Sequence, residues 1–255
     1  MLDFAGKTAV VTGAAKGIGE AVVRAFSNSG AKVALLDVDE TRGTAVATET
    51  GGHFIRCDVS KEADVRNAMH TAAQKYGGVD YLVNNAGIQR YSMVGDTTEE
   101  EWDLVMNVNL KSAFLCAKHA IPEMQKRGAG VIINMSSVQA FISQGNAAPY
   151  TTSKTAMLGL TRSIAADYSP MIRCVAVCPG TVDTPMLRDA IALSPDPAAV
   201  MKECVAMHLT ARIGKPSEIA ELVLYLCSDG AAFMTGHYVR IDGGLGVTAA
   251  GSKRD

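Results

Sequence analysis

Short apolar runs alternate with longer amphipathic stretches along most of the chain. The first two runs are KTAVVT at 7–12 and KVALLD at 32–37. Such short, fully apolar runs, rich in β-branched residues, are typical of strands buried on both faces of a parallel sheet. The stretch between them has apolar residues at helical spacing, namely Ile18, Ala21, Val22, Ala25 and Phe26. The pattern therefore predicts strand–helix–strand units.

The same alternation continues to the end of the chain. It predicts further strands at 52–60, 80–87, 130–137, 171–180 and 237–244, and helices ending near Tyr76 and spanning 98–126, 150–168 and 216–228. Ser60 is expected to cap the helix that ends at Tyr76, and Thr98 the next one. We predict an α/β fold with one doubly wound, Rossmann-type parallel sheet. It forms a single domain over 1–255, in which 181–213, with three prolines, is a small helical substrate lid.

Composition and charge narrow the classes of function. The 255 residues are 48% hydrophobic and 20% charged, with a formal net charge of −2, a balance expected of a soluble globular protein. No basic run exceeds two residues and no apolar run approaches 18, so we expect neither a nucleic-acid partner nor a membrane span. The six cysteines form no CxxC pair. We therefore expect no metal site and a reducing, cytoplasmic location.

A glycine-rich turn lies between the first strand and the first helix. Gly13, Gly17 and Gly19 allow the backbone to approach a pyrophosphate, which then rests on the N–H groups at the helix N-terminus. Asp37, at the end of the second strand, can accept both hydroxyls of an adenosine ribose and would repel a 2′-phosphate. Lys16 would instead accommodate that phosphate. We give Asp37 more weight and predict NAD rather than NADP.

Tyr150 and Lys154 lie one turn apart on a predicted helix. Alone, this pair is typical of a solvated helix face. An ammonium beside a phenol also favours the phenolate and lowers the tyrosine pKa, which suits a general acid–base near neutral pH. Asn109 falls inside a predicted helix and needs a buried partner. That helix is expected to be largely buried because of Leu104, Val108, Leu110, Phe114 and Leu115.

Four motifs along the chain fit one pattern. They are TGAAKGIG at 12–19, NNAG at 84–87, the set Asn109, Ser137, Tyr150 and Lys154, and PGTVDTPM at 179–186. Together they resemble the short-chain dehydrogenase/reductase family, in its short single-domain branch, over essentially the whole chain. Small departures at Ala140, at the turn 168–171 and at Val175 lie outside the four-residue set.

The resemblance implies hydride transfer between a carbinol carbon and a nicotinamide. Tyr150 would exchange the alcohol proton, Ser137 would orient the substrate oxygen, and Lys154 would lower the Tyr150 pKa and hold the nicotinamide ribose. Asn109 would anchor a water, and the protein would be a homotetramer. The expected cofactor contacts are Gly13, Lys16, Gly17, Ile18, Gly19, Asp37, Asp58, Val59, Asn85, Ala86, Gly87, Tyr150, Lys154, Pro179, Gly180, Val182 and Thr184.

The substrate is expected to be a polar small molecule. Gln89, Arg90, Gln139 and Gln144 are the candidate contacts, and an apolar substrate would leave them unpaired at about 1–3 kcal/mol each. A sugar or sugar acid would pair with them, although each side chain would equally well reach solvent. Two alternatives remain open: a 3-oxoacyl-carrier-protein reductase using NADPH, and a cofactor-binding sensor without catalysis.

Overall fold

Seven strands pair in parallel into one sheet in this computed structural model, which describes residues 2–247. They are β1 (Thr8–Thr12), β2 (Lys32–Asp37), β3 (His53–Arg56), β4 (Tyr81–Asn84), β5 (Gly130–Met135), β6 (Ile172–Pro179) and β7 (His237–Ile241). Their order across the sheet is β3-β2-β1-β4-β5-β6-β7. The winding direction therefore reverses between β1 and β4, which is where folds of this kind bind ligands. Residues 1 and 248–255 of the predicted domain lie outside the described residues.

Helices cover both faces of the sheet. They are α1 (Gly17–Asn28), α2 (Glu40–Thr50), α3 (Glu62–Tyr76), α4 (Glu99–Met106), α5 (Ser112–Arg127), α6 (Ala148–Tyr168), α7 (Pro185–Ile191), α8 (Pro197–Ala206) and α9 (Pro216–Cys227). Successive strand residues alternate between two apolar cores. Val11 packs with α1 and α9, whereas Val10 packs with α3, α5 and α6. This double covering explains why the strands are apolar throughout.

The predicted doubly wound parallel fold is confirmed, but several boundaries differ. The third, fourth and fifth strands end at Arg56, Asn84 and Met135, earlier than predicted. Helix α2 was not predicted; Asp39 caps it by accepting a hydrogen bond from the Arg42 N–H. Ser60 does not cap α3 as predicted, because its hydroxyl donates to the Asp58 carboxylate.

The predicted helix at 98–126 is interrupted by one π-helical turn, Asn107–Lys111. Thr98 caps the helix as predicted, accepting from the Glu101 N–H. The expectation that Leu104 and Phe114 are buried is wrong, since they are 42% and 48% exposed. Both lie in a mainly apolar run, which does not reveal which side of a helix faces the sheet.

Residues 183–213 form a segment outside the sheet, and two backbone hydrogen bonds at its base join its two ends. The Asp183 N–H donates to the Gly214 carbonyl at 2.9 Å, and the Gly214 N–H donates to the Thr181 carbonyl at 2.8 Å. The segment between holds α7 and α8. No helix among the described residues is long and apolar enough to cross a membrane.

Candidate active site

The glycine turn packs directly against the end of β4. A Cβ added to Gly19 would lie 2.0 Å from the Gly13 carbonyl oxygen, and one on Gly13 would lie 2.9 Å from the Ala86 Cα. Asn85 fixes this arrangement, because its side-chain amide donates to the Thr12 and Gly13 carbonyls at 3.0 Å. The turn thus holds its shape by backbone approach that only glycine permits.

Asn84, beside it in the sequence, holds the sheet together. Its amide donates to the Asn134 side chain at 2.9 Å, and Asn134 donates in turn to the Thr161 hydroxyl at 2.9 Å. All three side chains are buried. This chain crosses from β4 through β5 to α6, so Asn84 ties the sheet to the helix that carries Tyr150.

Asp37 is fixed at the end of β2 by two backbone groups. Its carboxylate accepts from the Ala15 N–H at 2.9 Å and from the Asp39 N–H at 3.0 Å. Each carboxylate oxygen accepts one of these two bonds and so retains a further lone pair with which to accept another. Lys16 is exposed at the start of α1 and gives the helix no side-chain cap. The close-packed turn, the uncapped helix start and the fixed carboxylate together fit a dinucleotide.

Asp58 and Val59 follow β3 on the same side of the sheet. Although partial burial raises the pKa of Asp58, hydrogen bonds from Ser60 and Lys61 lower it below the ordinary aspartate range. Lys61 Nζ lies 3.3 Å from this carboxylate. Val59 is buried.

Lys154 and Tyr150 project from the first turns of α6. The Lys154 side chain is buried, its Nζ donates to the Met135 carbonyl at 2.8 Å, and it lies 5.6 Å from the centre of the Tyr150 ring. Burial lowers the pKa of Lys154 to about 8. Burial also raises the pKa of Tyr150 to about 12, against the opposing effect of a hydrogen bond with Ser137. Burial is therefore the largest influence on the Tyr150 pKa in this structure, and the lowering of that pKa by Lys154 stays a prediction.

The two serines that follow β5 have different roles. The Ser136 hydroxyl donates to the Lys154 carbonyl at 2.7 Å and so anchors α6. The Ser137 oxygen accepts from the Gln139 N–H at 3.1 Å. A hydroxyl that accepts there keeps its own O–H free to donate to another oxygen.

Asn109 lies fully buried in the π-helical turn. Its side-chain oxygen accepts from the Ile88 N–H at 2.8 Å, and its amide donates to the Ile88 carbonyl at 2.9 Å and the Ser153 hydroxyl at 3.2 Å. The prediction that Asn109 needs buried partners is confirmed. A Cβ on Gly87 would lie 3.5 Å from both the Asn109 side-chain oxygen and Lys154 Nζ. These two residues therefore meet beside Gly87.

Four candidate cofactor contacts lie at the end of β6 and at the base of the 183–213 segment. Pro179 ends the strand, and Gly180, Val182 and Thr184 follow it. A Cβ on Gly17 would lie 3.4 Å from the Thr184 side chain, so the start of this segment touches the glycine turn. His208 also lies at this base and was not predicted from the sequence. It is buried, accepts from the Thr181 N–H at 3.1 Å and pairs with the Cys204 carbonyl at 2.7 Å. No sequence signal marks it, because its partners are backbone groups, and one of them, the Thr181 N–H, lies 27 residues away.

The four candidate substrate residues differ in their surroundings. The Gln89 side-chain nitrogen is buried and has no hydrogen-bond partner among the described residues. Arg90 is exposed and donates to the Gln89 carbonyl at 3.0 Å. The Gln139 amide donates to the Gln144 side-chain oxygen at 3.2 Å. Residues 2–247 contain no group of three or more histidine, cysteine or acidic side chains placed to bind a metal.

Known proteins resemble the whole chain. A family model described as enoyl-(acyl carrier protein) reductase matches residues 13–246. An uncharacterized oxidoreductase of Thermotoga maritima is 41% identical over 249 residues, 95% of this chain and 98% of that protein. Dehydrogenase/reductase SDR family member 6 of Danio rerio is 41% identical over 241 residues, 94% of this chain and 97% of that protein.

Two solved structures share the fold closely. Ligand-free aldohexose dehydrogenase of Thermoplasma acidophilum has a TM-score of 0.93 and 39% identity, covering 99% of this chain and 98% of that one. Levodione reductase has a TM-score of 0.93 and 31% identity, covering 96% of this chain and 100% of that one. Both proteins are named for redox reactions.

Proposed function

Because the chain belongs to the short-chain dehydrogenase/reductase family, and is thus an NAD(P)-dependent oxidoreductase acting on CH–OH groups, we propose that it interconverts a polar, sugar-like secondary alcohol and its ketone with NAD. The observation that carries the proposal is the convergence of Ser137, Tyr150 and Lys154 after β5. Lys154 Nζ lies 3.5 Å from the Cβ position of Gly87, which follows β4 beside the glycine turn, and 5.6 Å from the centre of the Tyr150 ring. A proton donor, an oxygen-binding hydroxyl and a buried cation thus lie beside the proposed cofactor cleft.

The proposed roles follow from the hydrogen bonds. Tyr150, protonated at neutral pH in the cofactor-free protein, gives its proton to the substrate oxygen during reduction and takes it back during oxidation. The Ser137 O–H donates to the same oxygen. Lys154 supplies a positive charge that favours the phenolate once a proton must leave Tyr150. Asn109 keeps one lone pair on its side-chain oxygen, on which it can hold a water near Lys154.

The proposed cofactor site combines the glycine turn with the ends of β2, β3, β4 and β6. When bound, the nicotinamide cofactor accepts or supplies the hydride. Asp37 supports NAD, since its carboxylate is held by Ala15 and Asp39 where it would repel a 2′-phosphate. The contacts are Gly13, Lys16, Gly17, Ile18, Gly19, Asp37, Asp58, Val59, Asn85, Ala86, Gly87, Tyr150, Lys154, Pro179, Gly180, Val182 and Thr184.

The proposed substrate is polyhydroxylated. The unpartnered Gln89 donor and the Gln139–Gln144 pair favour a ligand rich in oxygen, and Arg90 would receive a carboxylate. The name of the related aldohexose dehydrogenase supports a sugar. We further propose that residues 181–213 act as a lid over this substrate.

An absorbance screen at 340 nm with both cofactors tests the proposal. We expect NAD-linked oxidation of aldohexoses, sugar acids or diols, and loss of turnover in Tyr150→Phe while NADH still binds by fluorescence titration. Near-wild-type turnover in that variant would overturn the mechanism. NAD binding without turnover on any alcohol would favour the sensor alternative. Activity confined to a 3-oxoacyl thioester with NADPH would favour the acyl-carrier-protein alternative.

We also propose a cytoplasmic homotetramer. Exposed Leu104 and Phe114 support association, together with an apolar groove of about 450 Å³ lined by Met106, Leu110, Phe114, Ala156 and Leu160. The six cysteines are free thiols, which supports a reducing compartment. Analytical ultracentrifugation would contradict the assembly if it found only monomer at micromolar concentration.

A further inference from the structure

One hydrogen-bond chain begins at a residue with no assigned role and joins two of the candidate substrate residues. The Thr151 hydroxyl donates to the Gln139 side-chain oxygen at 3.0 Å, and the Gln139 amide donates to the Gln144 side-chain oxygen at 3.2 Å. The direction is the same throughout, from hydroxyl to amide to amide. The free N–H groups at the far end of each amide are therefore the ones left for a ligand.

Gln139 is held by one backbone contact and one side-chain contact. Its backbone N–H donates to the Ser137 oxygen at 3.1 Å, and its side chain reaches Thr151, the neighbour of Tyr150 in α6. Gln139 is thus bonded through its backbone to Ser137, the residue proposed to bind the reacting oxygen, and through its side chain to the residue after the proton donor. We expect this side chain to reach a substrate group next to the reacting carbon.

Thr151 is well suited to hold this amide still. It lies in the first turn of α6, is partly buried, and has no role in the proposed proton transfer. Gln144 at the other end is exposed on an irregular segment, so it constrains the amide less than a helix residue does. The phenyl ring of Phe141 packs on Tyr238 of β7 at 4.7 Å, which secures the middle of the same segment.

We propose that Thr151 is a positioning residue that orients Gln139 to recognise a hydroxyl group vicinal to the carbinol being oxidised. This inference rests on the proposed function and narrows its substrate class to vicinal diols and sugars. Without the Thr151 hydroxyl, the Gln139 oxygen loses its donor and the amide is free to turn. Selectivity for the second hydroxyl then falls, because a neutral hydrogen bond contributes about five- to tenfold in binding.

The test uses trans-1,2-cyclohexanediol and cyclohexanol, which differ by one vicinal hydroxyl. We expect wild type to favour the diol in kcat/KM, and Thr151→Val to lower that preference about five- to tenfold through a higher KM for the diol. Thr151→Ser should restore the preference. Thr155→Val is the matched control, since Thr155 lies one turn later, is exposed, and its hydroxyl donates to the Thr151 carbonyl and to no other described group.

The outcomes separate this inference from the proposed function. An unchanged diol preference in Thr151→Val, or a fall in kcat for both alcohols that Thr151→Ser does not rescue, would overturn the positioning role and leave hydride transfer intact. A wild type without any preference for the diol would overturn the assigned substrate class. Absence of turnover on both alcohols and on the sugar panel would reject the proposed function and the inference with it.

Discussion

The cofactor side and the substrate side of the cleft are built in opposite ways. On the cofactor side, backbone packs on backbone, and a single methyl group on Gly19 would lie 2.0 Å from the Gly13 oxygen. On the substrate side, residues 143–146 are exposed, and a methyl on Gly145 would meet nothing within 4 Å. On the cofactor side, few substitutions would preserve the shape of the surface, whereas on the substrate side many would. One fold can therefore keep its hydride chemistry while its substrate varies.

Exchanging one glycine on each side gives the largest expected contrast. Gly19→Ala should destabilise the protein by about 3 kcal/mol and abolish measurable NADH binding, because the turn must move to admit the methyl group. Gly145→Ala should change stability by less than about 0.5 kcal/mol, because its Cβ enters open space. Urea denaturation and NADH fluorescence titration measure both effects. Equal effects at the two positions would contradict the contrast.

The same difference explains how far the sequence could be interpreted. The glycine turn and the strand-end Asp37 are short-range patterns, since their conformations depend on neighbouring residues in the chain. The fold and the need of Asn109 for buried partners followed from such patterns. The exposure of Phe114, the partners of His208 and the pKa of Tyr150 depend on burial by distant segments. Local pattern carries no information about that burial, so these features emerged only from the structure.

Lys154 lies where the two sides meet, and its burial gives the next largest effect. Its pKa is lowered from 10.5 to about 8 in the folded protein. Between these values the unfolded chain binds one more proton than the folded one, so stability from this residue rises as pH increases from about 8 to 10.5. Below pH 8 the charged lysine costs the fold about 3 kcal/mol.

At neutral pH, Lys154→Met should therefore be more stable than wild type, although it should lose turnover. The difference in unfolding free energy between variant and wild type should shift by about 3 kcal/mol in favour of wild type between pH 7 and pH 10.5, since methionine does not titrate. Urea denaturation at a series of pH values measures it. If the difference stays constant with pH, burial does not lower the pKa of Lys154. In that case a buried charge does not separate the cofactor side of the cleft from the substrate side.

The smallest effect concerns Gln89, the one substrate candidate that resembles the cofactor side in its burial. Its side-chain nitrogen is buried without a described partner, which costs the cofactor-free protein about 1 kcal/mol. Gln89→Met keeps the length of the side chain and should raise the free energy of unfolding by about that amount, while raising KM for a polar substrate. Gln144→Met is the matched control, because Gln144 is exposed and its oxygen already accepts from Gln139. It should bring no gain in stability. If Gln89→Met instead destabilises the protein in urea denaturation, Gln89 stabilises the fold. The substrate candidates would then be limited to the residues from 139 onward and Arg90.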